Sequence, residues 1–281
     1  RKEMKVSVCI PTYKRPESLI TVVTRFLNDV EKVEEILIGV TGDLEDSIGS
    51  VQDMLNQVIG AYAIYDVPVR VKAELSGLME AKQWFKETAK SEVLLFVDDD
   101  AIVGEGYFDL VQHFKDRKVG AVSGTLQTPV NVGGYKDWSD TPIEIPEEEK
   151  FSNTLMYDKR RKTLHWFDKY QVYMVKGNRI FECEYLIGTA LFIRKDLLEI
   201  DMEFQRGACA GEELDFTYRI YREGYKLIYD TSRIAWHLHV NKGGMREKDR
   251  SKDKENLSYF VKKWGLGEGI ETGISIYKEV E

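Results

Sequence analysis

Val93-Leu94-Leu95-Phe96-Val97-Asp98-Asp99-Asp100 decides the fold. Five apolar residues run directly into three carboxylates. Such a run reads as a strand buried on both faces of a sheet. The carboxylates then stand at its C-terminal end, where open α/β sheets bind ligands. Like charges this close repel, so they persist either solvated in a loop or neutralised by a cation. Alternate side chains of an extended chain point the same way. Asp98 and Asp100 can therefore share one ion, while Asp99 faces elsewhere.

Upstream, strands alternate with helical patterns. Val6 to Ile10 is an apolar strand stopped by Pro11. Pro16 suits the first helical position, where its fixed φ and missing N–H do no harm. Leu19, Val22, Val23, Phe26 and Val30 continue that helix at its period. Ile36 to Val40 is a second strand, ending in Thr41-Gly42-Asp43, and Ile48, Val51, Leu55 and Ile59 line a second helix. A weaker strand over 67–73 and a helix through Leu78, Ala81, Trp84 and Phe85 lead into the acidic strand. This rhythm predicts a mostly parallel sheet with right-handed crossovers.

Downstream, Tyr107, Leu110 and Phe114 form one more helical face, and 119–125 one more strand. The rhythm then breaks. Residues 127–162, rich in Pro, Gly, Asp and Glu, predict a loop-rich insertion. Strand-like stretches at 164–175 and 179–193 flank Lys176-Gly177-Asn178, a hairpin-turn sequence. A helix over 212–223 is closed by Gly224, followed by short strands at 226–229 and 233–238. The charged tail from Asn241 contains one helix, over 254–264. The expected fold is α/β: a Rossmann-like, mostly parallel central sheet with helices on both faces, a loop-rich insertion and a C-terminal helical extension.

Composition narrows the function. With a formal net charge of -8, no domain-wide basic excess exists to neutralise phosphates, so nucleic acid is not an expected partner. Cys9, Cys183 and Cys209 are far apart and match neither a metal-ligand spacing nor a disulfide framework, which predicts a reducing compartment. No apolar run approaches the roughly 20 residues of a membrane span. No signal-peptide pattern precedes the first strand. The expectation is a cytoplasmic protein, with peripheral association at the inner face of a membrane compatible with it.

Four stretches carry chemistry. Pro11-Thr12-Tyr13 follows the first strand and faces the ligand crevice, where Thr12 and Tyr13 could contact a base or ribose. Asp43 lies at the same edge, where an acidic residue commonly holds sugar hydroxyls. No glycine-rich loop follows the first strand, which argues against dinucleotide-cofactor and P-loop chemistry. Asp98 to Asp100 suit a hard divalent cation such as Mg²⁺, usually held by one or two carboxylates plus substrate phosphates. Gly211-Glu212-Glu213-Leu214-Asp215 opens a helix. Acidic residues are favoured in a first turn by the helix dipole, yet three in four residues exceed what capping needs and offer a general base. In Trp236-His237-Leu238-His239 the two histidines share a strand face, and imidazole also suits Mn²⁺. Gly243, Gly244 and Arg246 follow as a loop able to aim a cation at a diphosphate, or as a plain surface linker.

These residues together resemble the GT-A-fold glycosyltransferases of family 2 over roughly residues 4–240. The opening Val6-Ser7-Val8-Cys9-Ile10-Pro11-Thr12-Tyr13-Lys14-Arg15-Pro16 is similar to that family's first strand and nucleotide loop. Asp98-Asp99-Asp100 is similar to its DXD motif, and Gly211-Glu212-Glu213-Leu214-Asp215-Phe216 to its acidic helix motif. The resemblance implies inverting transfer from a UDP- or GDP-sugar to a hydroxyl of a glycan, a lipid-linked or another acceptor, helped by Mn²⁺ or Mg²⁺. Donor contacts would come from Pro11, Thr12, Tyr13 and Arg15, from Asp43 and Lys82, and from Asp98 and Asp99. Asp98, Asp100 and a histidine past the helix, His239 or His237, would hold the metal. Glu213 occupies the base position, flanked by Glu212 and Asp215, and Gly188, Thr189 and Trp236 would line the acceptor side. The sequence departs from the family at Glu213, usually Asp, and at Leu75-Ser76-Gly77-Leu78-Met79-Glu80-Ala81-Lys82-Gln83, where both family Asn positions are replaced and Lys82 keeps the charge.

The division expected is a domain over 1–240, with a nucleotide-sugar half (1–125) and an acceptor half (126–240), and an extension over 241–281. The insertion and tail would shape the acceptor pocket and a closing lid. Two rivals are a sugar nucleotidyltransferase, which would want a Gly-rich, basic loop after the first strand, and a noncatalytic nucleotide-sugar-binding protein that kept the fold.

Overall fold

A computed structural model describes residues 4–127, 154–158, 163–167, 180–183, 185–186, 188–205, 211–238, 240, 242–244 and 253–265. Strands β1 (Val6–Thr12), β2 (Val33–Thr41), β3 (Val69–Leu75) and β4 (Val93–Val97) pair parallel in the order β3-β2-β1-β4. Helix α1 (Pro16–Arg25) joins β1 to β2. Helices α2 (Leu44–Ile48) and α3 (Gln52–Ala63) join β2 to β3, and α4 (Leu78–Thr88) joins β3 to β4. This half is the parallel frame the sequence predicts, with Pro16 opening α1.

The sheet continues through β5 (Ala101–Val103), β6 (Val119–Gln127), β9 (Ile180–Cys183), β10 (Ala190–Arg194) and β11 (Lys226–His237). β10 lies between β4 and β6, antiparallel to both. β11 runs parallel to β6 and carries β9 and β5 antiparallel on its other side. The reversed β10 places Ala190 opposite Val97, and the Asp98 N–H donates to the Thr189 carbonyl at 3.0 Å. The chain entering β10 therefore passes directly by the acidic end of β4.

The decisive apolar run is buried on both faces because helices cover both. Val93, Leu95 and Val97 pack with Val8, Ile10 and residues of α1 and α3. Leu94 and Phe96 pack with Leu37, with Phe85 of α4 and with Phe216 of α5 (Glu212–Arg222). Each such side chain contributes roughly 1.5–3 kcal/mol by leaving water. A third cluster joins Met79 of α4, Leu214 and Tyr218 of α5, and Phe260 of α6 (Asp253–Trp264). The helix of the C-terminal extension is thus seated on α5.

Other expectations change. The first helix gives way to a 3₁₀ segment over Phe26–Lys32, and the second is interrupted by one over Gly49–Val51. The two strands expected at 226–229 and 233–238 are one strand, β11, whose register against β6 shifts between Asp230 and Ile234. β7 (Thr154–Asp158), inside the predicted insertion, pairs antiparallel with β8 (Thr163–Phe167). β5 was not expected, because three residues are too few to show a period. Gly224 ends α5 with φ +87°, as its sequence position suggests. The turn at 176–178 lies outside the described residues. Among the described residues no helix is long and apolar enough to cross a membrane.

Candidate active site

The three carboxylates after β4 part company at once. Asp98 keeps 40% of its side-chain surface exposed, whereas Asp100 keeps 1%. Strand β11 brings His237 to both: its Nε2 lies 3.3 Å from Asp100 Oδ1 and 3.8 Å from Asp98 Oδ2. β5 explains the meeting. It starts at Ala101, directly after Asp100, and Ala101 pairs with His237. Ligand atoms of Asp98, Asp100 and His237 all lie within 4.8 Å of one another. Partial desolvation pushes the Asp98 carboxyl above the ordinary range, with His237 opposing and repulsion from Asp100 adding to it. Burial would raise Asp100 too, but His237, Arg15 and the Val240 N–H outweigh it and hold that carboxyl below the usual range. Burial alone would lower His237; the two aspartates reverse this and favour the imidazolium.

Asp99 faces the other way, as the pleat requires. Its Oδ2 accepts the Thr12 hydroxyl at 2.7 Å and the Tyr13 N–H at 3.3 Å, and its Oδ1 accepts Arg15 Nη1 at 2.9 Å. Burial, with repulsion from Asp100, pushes its pKa up to about 6 against the pull of Arg15 and Thr12. Asp99, Thr12 and Arg15, the residues expected at the donor, tie the loop after β1 to the acidic strand end. Pro11 lies within β1, paired with Gly39. Tyr13 is half-buried, and Gly42, at φ +86°, packs beside its ring.

Helix α5 presents three acidic residues with three different surroundings. Glu212 is buried and accepts Lys82 Nζ at 2.9 Å. Lys82 is itself buried, with its ammonium 5.6 Å from the Phe96 ring centroid and 5.1 Å from that of Phe216. Burial and the neighbouring Glu213 push Glu212 up, and Lys82 opposes them. Asp215 lies one turn on, against α6, and accepts Lys263 Nζ at 2.7 Å and Trp264 Nε1 at 2.8 Å. It anchors the C-terminal helix. It shares a face with Tyr218, three positions on, whose ring packs on Phe260 and Trp264 of α6. Glu213 is half-buried and, among the described residues, forms no ion pair. Its side chain lies over Gly188: a Cβ at 188 would come 3.2 Å from the Glu213 Cβ. Thr217 fixes this contact, its hydroxyl bonding the Glu213 carbonyl at 2.6 Å and accepting the Leu186 N–H at 3.3 Å.

Other expected residues divide. Thr189 lies beside Asp98, and its contact helps keep that carboxylate ionised. Asp43 is a helix cap: its Oδ1 accepts the Glu45 and Asp46 N–H groups at 2.7 and 3.2 Å, which is why an acidic residue follows β2. Trp236 is 40% exposed, and strand alternation turns it away from His237. His239 lies outside the described residues. Among the described residues the histidine that meets both carboxylates is His237, one of the two that sequence spacing offers. The pairing of β5 with β11 was the missing signal.

The donor set fits a divalent cation. Asp100 Oδ1 is a buried oxygen without a hydrogen bond. Two carboxylates and an imidazole, with both carboxylates offering hard oxygens, suit Mn²⁺ or Mg²⁺.

This sheet, with an Asp-x-Asp pair at the end of β4 and an acidic helix beside it, defines a GT-A domain. The chain belongs to the family described as glycosyltransferase like family 2, whose family model matches residues 4–253. Solved structures share the fold. One is GalNAc-T7 with UDP, GalNAc and Mn²⁺, at TM-score 0.65 and 15% identity over 94% of this chain and 49% of that one. Another is the mannosyltransferase PcManGT from Pyrobaculum calidifontis with GDP-Man and Mn²⁺, at TM-score 0.57 and 13% identity over 93% and 64%. A mycobacterial protein follows at TM-score 0.56 and 14% identity over 95% and 76%. The chain thus spans about half the length of GalNAc-T7 and less than two thirds of the mannosyltransferase. At these identities the likeness is one of fold. No curated protein sequence matches the chain significantly.

Proposed function

We propose that the chain transfers a sugar from a nucleotide-diphosphate sugar, a UDP- or GDP-sugar, to an acceptor hydroxyl with inversion at the anomeric carbon. The observation that carries this reading is the division of labour on the first turn of α5. Glu212 and Asp215 are occupied by Lys82 and by Lys263 with Trp264, which leaves Glu213 as the carboxylate turned towards Gly188 and the loop entering β10. Glu213 accepts the proton of the attacking hydroxyl as its oxygen bonds the anomeric carbon and the bond to the diphosphate breaks. Asp98, Asp100 and His237 would hold Mn²⁺ or Mg²⁺, which when bound stabilises negative charge on the departing diphosphate. Tyr13, beside Gly42 at the sheet edge, would meet the nucleoside, and Thr189 would keep Asp98 in position. The acceptor is a glycan, a lipid-linked or another hydroxyl compound.

Glu213→Gln tests the assignment. Turnover with donor and acceptor should fall about 10²- to 10⁴-fold, the usual worth of a general base. Mn²⁺-dependent nucleoside-diphosphate binding should stay unchanged. Equal loss of nucleotide binding, or retained turnover, would remove Glu213 as the base.

A further inference from the structure

The resemblance to the family implies a donor contact for Arg15, and its side chain is held by Asp99 and by the carbonyls of Lys242 and Val240. We infer that Arg15 is a positioning residue that latches the segment after β11 onto Asp99 and Asp100, and so sets the spacing between His237 and the metal-facing carboxylates. The part of this inference that concerns the metal rests on the reading above.

The guanidinium is buried, with 9% of its side chain exposed. Its Nη1 lies 2.9 Å from both Asp99 Oδ1 and Asp100 Oδ2. Its Nε donates to the Lys242 carbonyl at 3.0 Å and its Nη2 to the Val240 carbonyl at 3.1 Å. Every nitrogen of the fork is engaged before any donor arrives. The tail segment is stitched to the same place from its own side. The Leu238 N–H donates to the Asp100 carbonyl at 2.9 Å, the Val240 N–H to Asp100 Oδ2 at 3.0 Å, and the Gly244 N–H to the Tyr13 carbonyl at 2.8 Å.

The two glycines make the latch possible. A Cβ at Gly243 would come 2.7 Å from both Arg15 Cγ and the Tyr13 carbonyl oxygen, and one at Gly244 would strike the Arg15 guanidinium carbon. Both have positive φ, +72° and +59°. Any side chain there would push Arg15 off its partners. A lysine could restore the charge at position 15, but a single ammonium cannot span two carboxylates and two carbonyls as a planar fork does.

His237 begins this segment, and Arg15 is its fastening on the carboxylate side. Residues that orient metal ligands in this way act on the metal without touching it.

Limited trypsin digestion of the metal-free full chain in EDTA tests the latch. The readout is cleavage at the Lys242–Gly243 bond, whose carbonyl Arg15 holds, normalised to cleavage after the exposed Arg117. Arg15→Met, Arg15→Lys and Gly243→Ala should each raise that ratio about tenfold, the equivalent of one lost charged hydrogen bond. An unchanged ratio in folded Arg15→Met or Gly243→Ala protein overturns the inference. In a second arm, bare Mn²⁺ is titrated without nucleotide and followed by electron paramagnetic resonance. Arg15→Met should weaken binding by about 10- to 100-fold. An unchanged or tighter Mn²⁺ affinity with weakened nucleoside-diphosphate binding would make Arg15 a direct donor contact and overturn the positioning role. A wild type that binds no Mn²⁺ would refute the metal reading of the site, while the digestion still decides the latch.

Discussion

Lys82→Met isolates the charge arrangement behind the candidate base. Lys82 and Glu212 are buried together, 2.9 Å apart, between the acidic strand end and the first turn of α5. Removing the ammonium leaves a buried carboxylate without a partner, and breaking a buried pair this way costs about 3–5 kcal/mol. The carboxylate has an escape, because it can take a proton. At pH 7 that costs about 1.36 kcal/mol for each of the roughly 2.7 units above the ordinary pKa of Glu, or about 3.7 kcal/mol. Protonation therefore caps the loss at pH 7 near 3–4 kcal/mol and at pH 5 near 1 kcal/mol. The sign is fixed by linkage. In the variant the folded-state pKa of Glu212 lies above its unfolded value, so stability is full at low pH and is lost as pH rises. Asp98 also senses Lys82, and its lost attraction works in the same direction. The double variant Lys82→Met, Glu212→Leu should recover about 2 kcal/mol or more, since apolar groups can replace a buried pair. Urea unfolding at pH 5 and pH 7 measures all of this. A single-variant loss below about 1 kcal/mol would place the pair with weak surface bridges. A loss independent of pH, or a double variant as unstable as the sum of the singles, would equally refute the buried-pair reasoning.

The remaining residues give sharper, smaller predictions. Asp215→Asn should lower stability by about 1–3 kcal/mol and speed hydrogen exchange in α6, while reducing turnover far less than Glu213→Gln. Turnover as low as in Glu213→Gln would make Asp215 catalytic after all. Thr12→Val removes one partner of the buried Asp99 and should cost about 1–3 kcal/mol in chemical denaturation; an unchanged midpoint would mean that Asp99 does not hold the β1 loop. Of the two histidines past α5, only His237→Ala should abolish Mn²⁺-dependent nucleotide binding, and His239→Ala should retain it. Calorimetric titration of both variants separates them, and the reverse outcome would move the ligand to His239.

The parallel half of the fold was legible because its signals are local. Apolar runs ending in Pro11 or in Asp98, and helical periods between them, specify strand and helix without reference to the rest of the chain. The site was legible as a set of stretches but not as contacts. Asp98, Asp100 and Glu213 were placed by motif and side-chain alternation. The occupied states of Asp99, Glu212 and Asp215 depend on partners 84, 130 and 48 residues away, at Arg15, Lys82 and Lys263, and no local pattern announces these. Asp43 shows the same limit, because a helix cap and a ribose hook ask for the same residue type at the same sheet edge. The meeting of His237 with Asp98 and Asp100 comes through β5, a strand of three residues, which shows no period in the sequence. β10 reverses direction between two parallel pairs, which a rhythm of strands and helices does not foretell.

In the proposed function Asp98, Asp100 and His237 form a metal-dependent nucleoside-diphosphate site. Calorimetric titration of UDP and GDP into the wild type and Asp100→Asn, with Mn²⁺ and with EDTA, tests it most directly. One of the two nucleotides should bind the wild type only when Mn²⁺ is present, and Asp100→Asn should abolish that binding. Binding indifferent to EDTA and to Asp100→Asn, or no binding of either nucleotide, would contradict the account.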